Sequence, residues 1–222
     1  MMAFHACARV HCCRRFLRLS CMAAVLCLVA ACGSSIPNPT VEKPSGVSDA
    51  DVDAYAKANN AFAVDAYKSL KAQEGNLTFS PLSLSSALAM VHEGARGETA
   101  SQMEAVLHLA PNARTGKGYA FLRWNMLADP HRPYVLNIAN GLWSQKGYSL
   151  QPSFTNAIET SYGASSASLD FEGAPDKARK TINRWASEQT GGNIRELLPS
   201  GVITPATRLV LANAMYFNGK WE

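Results

Sequence analysis

The chain has 222 residues, 47% hydrophobic and 17% charged, with 9% aromatic and 15 Gly, a globular profile that excludes a collagen, a coiled coil or a disordered tail. The net charge of +4 comes from Arg9, Arg14, Arg15 and Arg18, in a first stretch without acidic residues; removing them leaves 17 basic and 17 acidic residues. The remainder is formally neutral, which excludes a basic field for nucleic acid or an acidic membrane surface. All six cysteines (Cys7, Cys12, Cys13, Cys21, Cys27 and Cys32) lie in that same stretch. The body therefore has no disulfide framework, thiolate metal site or cysteine nucleophile.

The first stretch opens with arginines and continues as an apolar run from Leu19 to Ala31. As a helix that run rises about 20 Å, short of the roughly 30 Å hydrocarbon core. A basic start, a short apolar run and small residues at its end predict an export signal over residues 1–31. Val29-Ala30-Ala31-Cys32, followed by Gly33-Ser34-Ser35, resembles the lipobox of bacterial lipoproteins. That resemblance implies a lipidated Cys32 at the new N-terminus. It also implies export and a lipid anchor at the bacterial membrane or cell surface, in an extracellular or periplasmic setting. The alternative is an ordinary secretory signal with a chance cysteine. Residues 32–49, with Pro37, Pro39 and Pro44, predict a flexible, extended tether. A body without cysteine cannot misoxidise in an oxidising compartment.

The body then reads in order. Ala50 to Lys71 predicts a helix, with Ser48 and Asp51 as a capping box and Tyr55, Ala58, Phe62, Ala66 and Leu70 as its apolar stripe. Leu77-Thr78-Phe79 is strand-like. Ser80 and Pro81 open a second helix as N-cap and first helical residue, with Leu84, Ala87, Leu88 and Val91 on one face and Gly94 and Gly97 as its stop. Thr99 and Gln102 predict another capping box, opening a helix that buries Met103, Val106 and Leu107. Residues 111–118 read as a loop, with Gly116-Lys117-Gly118 as a flexible turn. Tyr119, Leu122 and Met126 suggest a fourth helix.

Tyr134 to Trp143 predicts a strand with Leu136, Ile138 and Leu142 on one face. Pro152 opens a short helix containing Phe154 and Ile158. Ala167, Leu169 and Phe171 alternate as a strand. Pro175 opens a helix with Ala178, Ile182, Trp185 and Gln189 on its face, stopped by Gly191-Gly192. Leu209 to Phe217 is apolar at nearly every position, with Asn213 in its middle, and predicts an interior strand covered on both faces. Asn218-Gly219 is a turn signal. An interior strand followed by a turn and no further strand predicts a truncated polypeptide.

Four segments carry a specific likeness. They are Asn76-Leu77-Thr78-Phe79-Ser80-Pro81-Leu82-Ser83, then Gly94-Ala95-Arg96-Gly97-Glu98-Thr99, then Ile182-Asn183-Arg184-Trp185 leading to Thr190, and last the run from Leu209 to Glu222. In this order and spacing the chain resembles a serpin, the serine protease inhibitor family, from about Tyr55 onward. The resemblance implies a mixed α+β serpin fold, with N-terminal helices packed on a large central β-sheet, and that residues 50–222 are the N-terminal portion of a serpin domain. It implies that Ser80, Ser83 and Asn213 match the shutter, a polar cluster under the centre of the main sheet, and that Trp221 matches the breach tryptophan. The residues themselves leave a second reading open, in which Ser80 is only an N-cap, Asn213 is satisfied by backbone and Trp221 is a core aromatic.

The family's mechanism implies a metastable sheet. A target protease cuts an exposed reactive loop, which inserts as an extra strand with the acylated protease attached. The resemblance thus implies a suicide inhibitor, acting in full-length form as a monomer on a serine or papain-like cysteine protease, with no cofactor. The 222 residues lack the loop, its hinge, the other main-sheet strands and the histidine that normally completes the shutter, so as given the chain is expected to be inactive. The alternative is a non-inhibitory surface lipoprotein serving as a binding module on the same scaffold.

An exported hydrolase is the weakest rival. No G-x-S-x-G, S-x-x-K or phosphate-binding loop occurs, and His92, His108 and His131 show no metal-ligand spacing, so neither an enzyme nor a metal site is expected. Arg114, Lys117, Arg123 and Arg132 read as a solvated face rather than a polyanion stripe. Asn76-Leu77-Thr78 is a formal glycosylation sequon that strand entry explains.

Overall fold

The computed structural model describes residues 41–111 and 115–220. Ser48 caps the first helix, α1 (Asp49–Leu70), and the capping box closes as expected: Asp51 N donates to Ser48 Oγ at 3.3 Å and Ser48 N to Asp51 Oδ2 at 2.9 Å. Tyr55, Ala58 and Phe62 bury its stripe. Leu77 to Phe79 carries no regular secondary structure and pairs with no strand among the described residues. Ser80 then caps α2 (Pro81–Gly94), its hydroxyl accepting from Ser83 N. The deeply buried side of α2 is not the predicted leucine face. Ser83, Ser86, Ala87 and Met90 go inward, and Leu84, Leu88 and Val91 are half-buried. Small side chains let the helix lie close to what it covers.

Helix α3 (Gly97–Leu107) starts two residues before the predicted capping box. Gly97, at φ +58°, makes the bend from α2, and Gln102 Nε2 donates to Glu98 Oε1 rather than capping. Leu107 is buried, Met103 is half-buried and Val106 is 59% exposed. Helix α4 (Thr115–Leu127) begins where a loop was expected. Its glycines serve close approach, not a turn: a Cβ on Gly118 would stand 2.5 Å from Asp51 O and 2.7 Å from Tyr55 Cβ of α1.

Strand β1 (Tyr134–Gln145) is buried at every position from Leu136 onward. It is the middle strand of a three-stranded sheet in the order β2-β1-β3. Helix α5 (Pro152–Tyr162) leads through the left-handed Gly163 into β2 (Ala164–Leu169), which pairs parallel to β1. Phe171, predicted in the strand, lies in the following turn and is fully buried. On α6 (Pro175–Gln189) the inward face is Ala178, Ile182, Asn183 and Ala186; Gln189 is exposed because the helix ends there.

Strand β3 (Leu209–Gly219) pairs antiparallel with β1. Asn218 and Gly219 belong to the ladder, opposite Val135 and Tyr134, and form no turn. β3 is less enclosed than predicted: Val210 and Ala212 to Ala214 are buried, whereas Leu209 is 42% and Phe217 62% exposed. Among the described residues it pairs with β1 alone.

Period-2 alternation sorts the strand residues into two layers. Leu142 and Leu211 face α1, α2, α4 and α5, in a core with Met90, Tyr119, Ile158 and Tyr162. Trp143, Val210, Ala212 and Ala214 face α6 with Ile182, Ala186 and Leu197. Trp143 meets Trp185 edge-on at 5.0 Å, and its indole lies back over Gly141, where a Cβ would come within 2.3 Å of it.

Candidate functional site

Asn213 stands directly opposite Asn140 in the β1–β3 ladder, on the face that α2, α4 and α5 cover. An amide in an apolar strand must find partners there, because burying one unbonded costs roughly 1–3 kcal/mol. Asn213 Nδ2 donates to Asn140 Oδ1 at 2.9 Å. Asn140 Nδ2 donates in turn to the last carbonyl of α5, Tyr162 O, at 2.9 Å and to Tyr119 Oη of α4 at 3.3 Å. Asn140 is 1% exposed and Tyr119 and Tyr162 are fully buried. One amide thereby ties β1 to β3 and to the ends of two helices. Asn213 Oδ1 accepts from no described residue.

The predicted serines lie beside this pair and do not bond it. Ser80 Oγ and Ser83 Oγ point at Met215 Sδ, 3.6 and 3.9 Å away, two residues along β3 from Asn213. Asn213 thus takes an amide partner across the ladder where serine hydroxyls were expected. Ser86 turns its hydroxyl back to Ser83 O at 3.1 Å. Trp221 and Cys32, the other two predicted positions, lie outside the described residues.

Asn140, Tyr119 and Tyr162 were not singled out from sequence. A signal existed for one of them: Asn140 falls at the same parity as Leu136, Ile138 and Leu142, a polar gap in an apolar face. No comparable signal marks the tyrosines, whose rings stack at 5.0 Å and extend to Tyr55 at 5.8 Å.

Burial pushes the Tyr119 hydroxyl above the ordinary tyrosine value near 10, partly opposed by the bond from Asn140. Tyr162 goes well above it, through burial and the charge of Glu93, whose carboxylate accepts its hydroxyl at 3.0 Å. Burial raises Tyr55 as well. These phenols are neutral near pH 7 and act as hydrogen-bonding groups, not as acids.

Several of the remaining polar candidates take structural partners. His92 contacts Glu104 at 3.3 Å and His108 contacts Asp65 at 2.9 Å. Arg132 is buried and donates to Leu127 O, Asp129 O and Leu136 O, so it closes the end of α4 rather than joining a surface stripe. Arg114 lies outside the described residues. Among the described residues no group of three His, Cys, Asp or Glu gathers around a metal-sized site. What the arrangement provides is a set of hydrogen bonds that joins two strands to α4 and to the end of α5.

A family model described as Serpin (serine protease inhibitor) matches residues 57–222. A leukocyte elastase inhibitor of Bos taurus is 47% identical over 170 residues, covering 74% of this chain and 44% of that protein. An uncharacterized serpin-like protein of Thermococcus kodakarensis is 41% identical over 167 residues, covering 74% of this chain and 38% of its own. Among solved structures, ovalbumin from emu (Dromaius novaehollandiae) superimposes with a TM-score of 0.68 at 33% identity, covering 76% of this chain and 47% of its own. An Arabidopsis serpin in its native stressed conformation gives 0.66 at 29% identity, covering 80% and 46%. The chain spans less than half the length of these relatives.

The buried tyrosines set an alkaline limit. An unfolded chain releases phenol protons from about pH 10, while the folded chain keeps them, so stability from these groups is full below about pH 10 and falls above it, by about 1.4 kcal/mol per pH unit for each tyrosine held. Denaturant titrations from pH 8 to 11 should show that fall, and Tyr119→Phe should show a shallower one. An identical slope in Tyr119→Phe would contradict the assignment.

Proposed function

The chain belongs to the serpin family, and we propose that its full-length form is a suicide inhibitor of a serine-type or papain-like cysteine protease. Inhibition proceeds by insertion of the cut reactive loop into the sheet beside β3. In that reading Asn213, with Ser80 and Ser83, gates the opening, Asn140 is the partner that fixes Asn213 to β1, and Trp221 sits where the loop first enters. The observation that carries it is the amide bond across β1 and β3, set under a strand whose other edge is unpaired among the described residues. Backbone pairing and burial of the loop supply the driving force. The inhibitor named among the relatives supports the same reading.

The test mixes the full-length protein with a panel of serine and papain-like proteases. A covalent complex that survives SDS is expected with at least one of them. Cleavage of the protein by every protease tested, with no complex formed, would instead favour the non-inhibitory binding module.

We also propose that the protein is exported and held at a bacterial membrane through Cys32. The support is the run Val29 to Gly33, small residues leading directly into a cysteine. Mass spectrometry of the mature protein should find an acylated N-terminal Cys32; an unmodified N-terminus elsewhere would overturn the anchor and leave the inhibitor reading intact.

A further inference from the structure

Residues 41–47 connect the leader to α1, and they lie against the domain. Val41 packs into the cluster of Leu127 from the end of α4 with Leu136 and Ile138 from β1, and Met215 of β3 packs at the same cluster. Lys43 Nζ stands 5.0 Å over the Trp124 ring. Lys117 Nζ donates to Gly46 O at 3.5 Å, where a φ of +63° turns the segment toward α1.

The three contacts run in opposite order along the two elements. Gly46 meets Lys117, Lys43 meets Trp124, and Val41 meets the cluster to which Leu127 belongs. Those helical positions share one side of α4, since steps of seven residues (117 to 124) and three (124 to 127) return to nearly the same face. The lengths agree as well. From Lys117 to Leu127 a helix rises about 15 Å at 1.5 Å per residue. From Gly46 to Val41 an extended chain covers about 17 Å at 3.3 Å per residue. The segment is therefore matched to the helix it crosses.

We propose that residues 41–47 are a strap that holds α4 onto the paired ends of β1 and β3. Its inner end, Val41, packs on the cluster that Leu127 of α4 shares with Leu136 and Ile138 of β1, so withdrawing it uncovers that cluster. Met215 joins the strap to the α2 N-terminus, because Ser80 and Ser83 address the same sulfur. Release of the strap loosens this end of the sheet and leaves the α6 face unaffected, since that face packs a separate cluster. The strap depends on neither the anchor nor the inhibitory reading.

Hydrogen exchange on the full chain tests it. In Val41→Asp, amides of residues 124–128 and 136–138 should exchange about tenfold faster than in the unaltered protein, with α6 unchanged. Val41→Ala, a milder change that decides the matter if the aspartate variant does not fold, should show the same pattern at about threefold. Glu42→Ala, one residue along on the exposed side, serves as the control and should match the unaltered protein. Unaltered rates at 124–128 and 136–138 in Val41→Ala, or equal acceleration there and in α6, would overturn the proposal.

Discussion

Two amides meet at the centre of the β1–β3 ladder, under helices that exclude water, and neither has an easy substitute for the other. Asn140 spends its donors on Tyr162 O and Tyr119 Oη and its acceptor on Asn213. Separating the strands would strand a buried donor of Asn213 and a buried acceptor of Asn140, at roughly 1–3 kcal/mol for each group left unbonded. Apolar contacts between the same strands are non-directional and tolerate a slide; an amide pair does not. Within the ladder, this bond therefore adds a directional contribution to register that the apolar area around it lacks.

The helices can reach the pair only because small residues bring them close. Serine and alanine line the inward side of α2, and Gly118 lets α4 touch the α1 backbone. Close approach puts Tyr119 within reach of Asn140, and Tyr119 and Tyr162 stack with their hydroxyls directed to different partners. Burial then keeps the phenols protonated, so the network has one charge state across ordinary pH. The opposite face is built differently. There Trp143 and Trp185 fill space over Gly141, and Asn183 bonds the Leu198 backbone in both directions, at 2.9 and 2.8 Å. One face is polar at its heart and strand-directed; the other is apolar and braced by a loop.

Helix ends with a strong local chemistry were legible in the sequence. Ser48 with Asp51, and Ser80 with Pro81, specify their caps through neighbours three residues away or fewer, so no tertiary information is needed. The lone Asn213 in an apolar run was legible too, since such an amide demands a partner. Which partner it takes was not. Serines at a helix start and an asparagine across the ladder are equally able donors and acceptors on paper, and only the register that sets Asn140 opposite Asn213 decides between them. Glycine misled for a related reason. Gly116 and Gly118 look like a turn locally, yet their missing Cβ atoms make room for neighbouring helices, Gly116 for Ser161 and Gly118 for residues 51 and 55. The buried face of α2 was misread because leucine outweighs serine in any periodicity count, while the neighbouring helices leave room only for the smaller side chain. The path of residues 41–47 has no periodic signature at all; a proline-containing linker becomes ordered only through the face that α4 offers it.

The account stands on the bond between Asn140 and Asn213, and a double-mutant cycle measures it directly. Unfolding free energies of the unaltered protein, Asn140→Ala, Asn213→Ala and the double variant give the coupling between the two side chains. The account predicts that the second substitution costs markedly less once the first is made, a coupling of about 1–3 kcal/mol. Additive losses, within about 0.5 kcal/mol, would show that the two amides do not depend on each other and would contradict it.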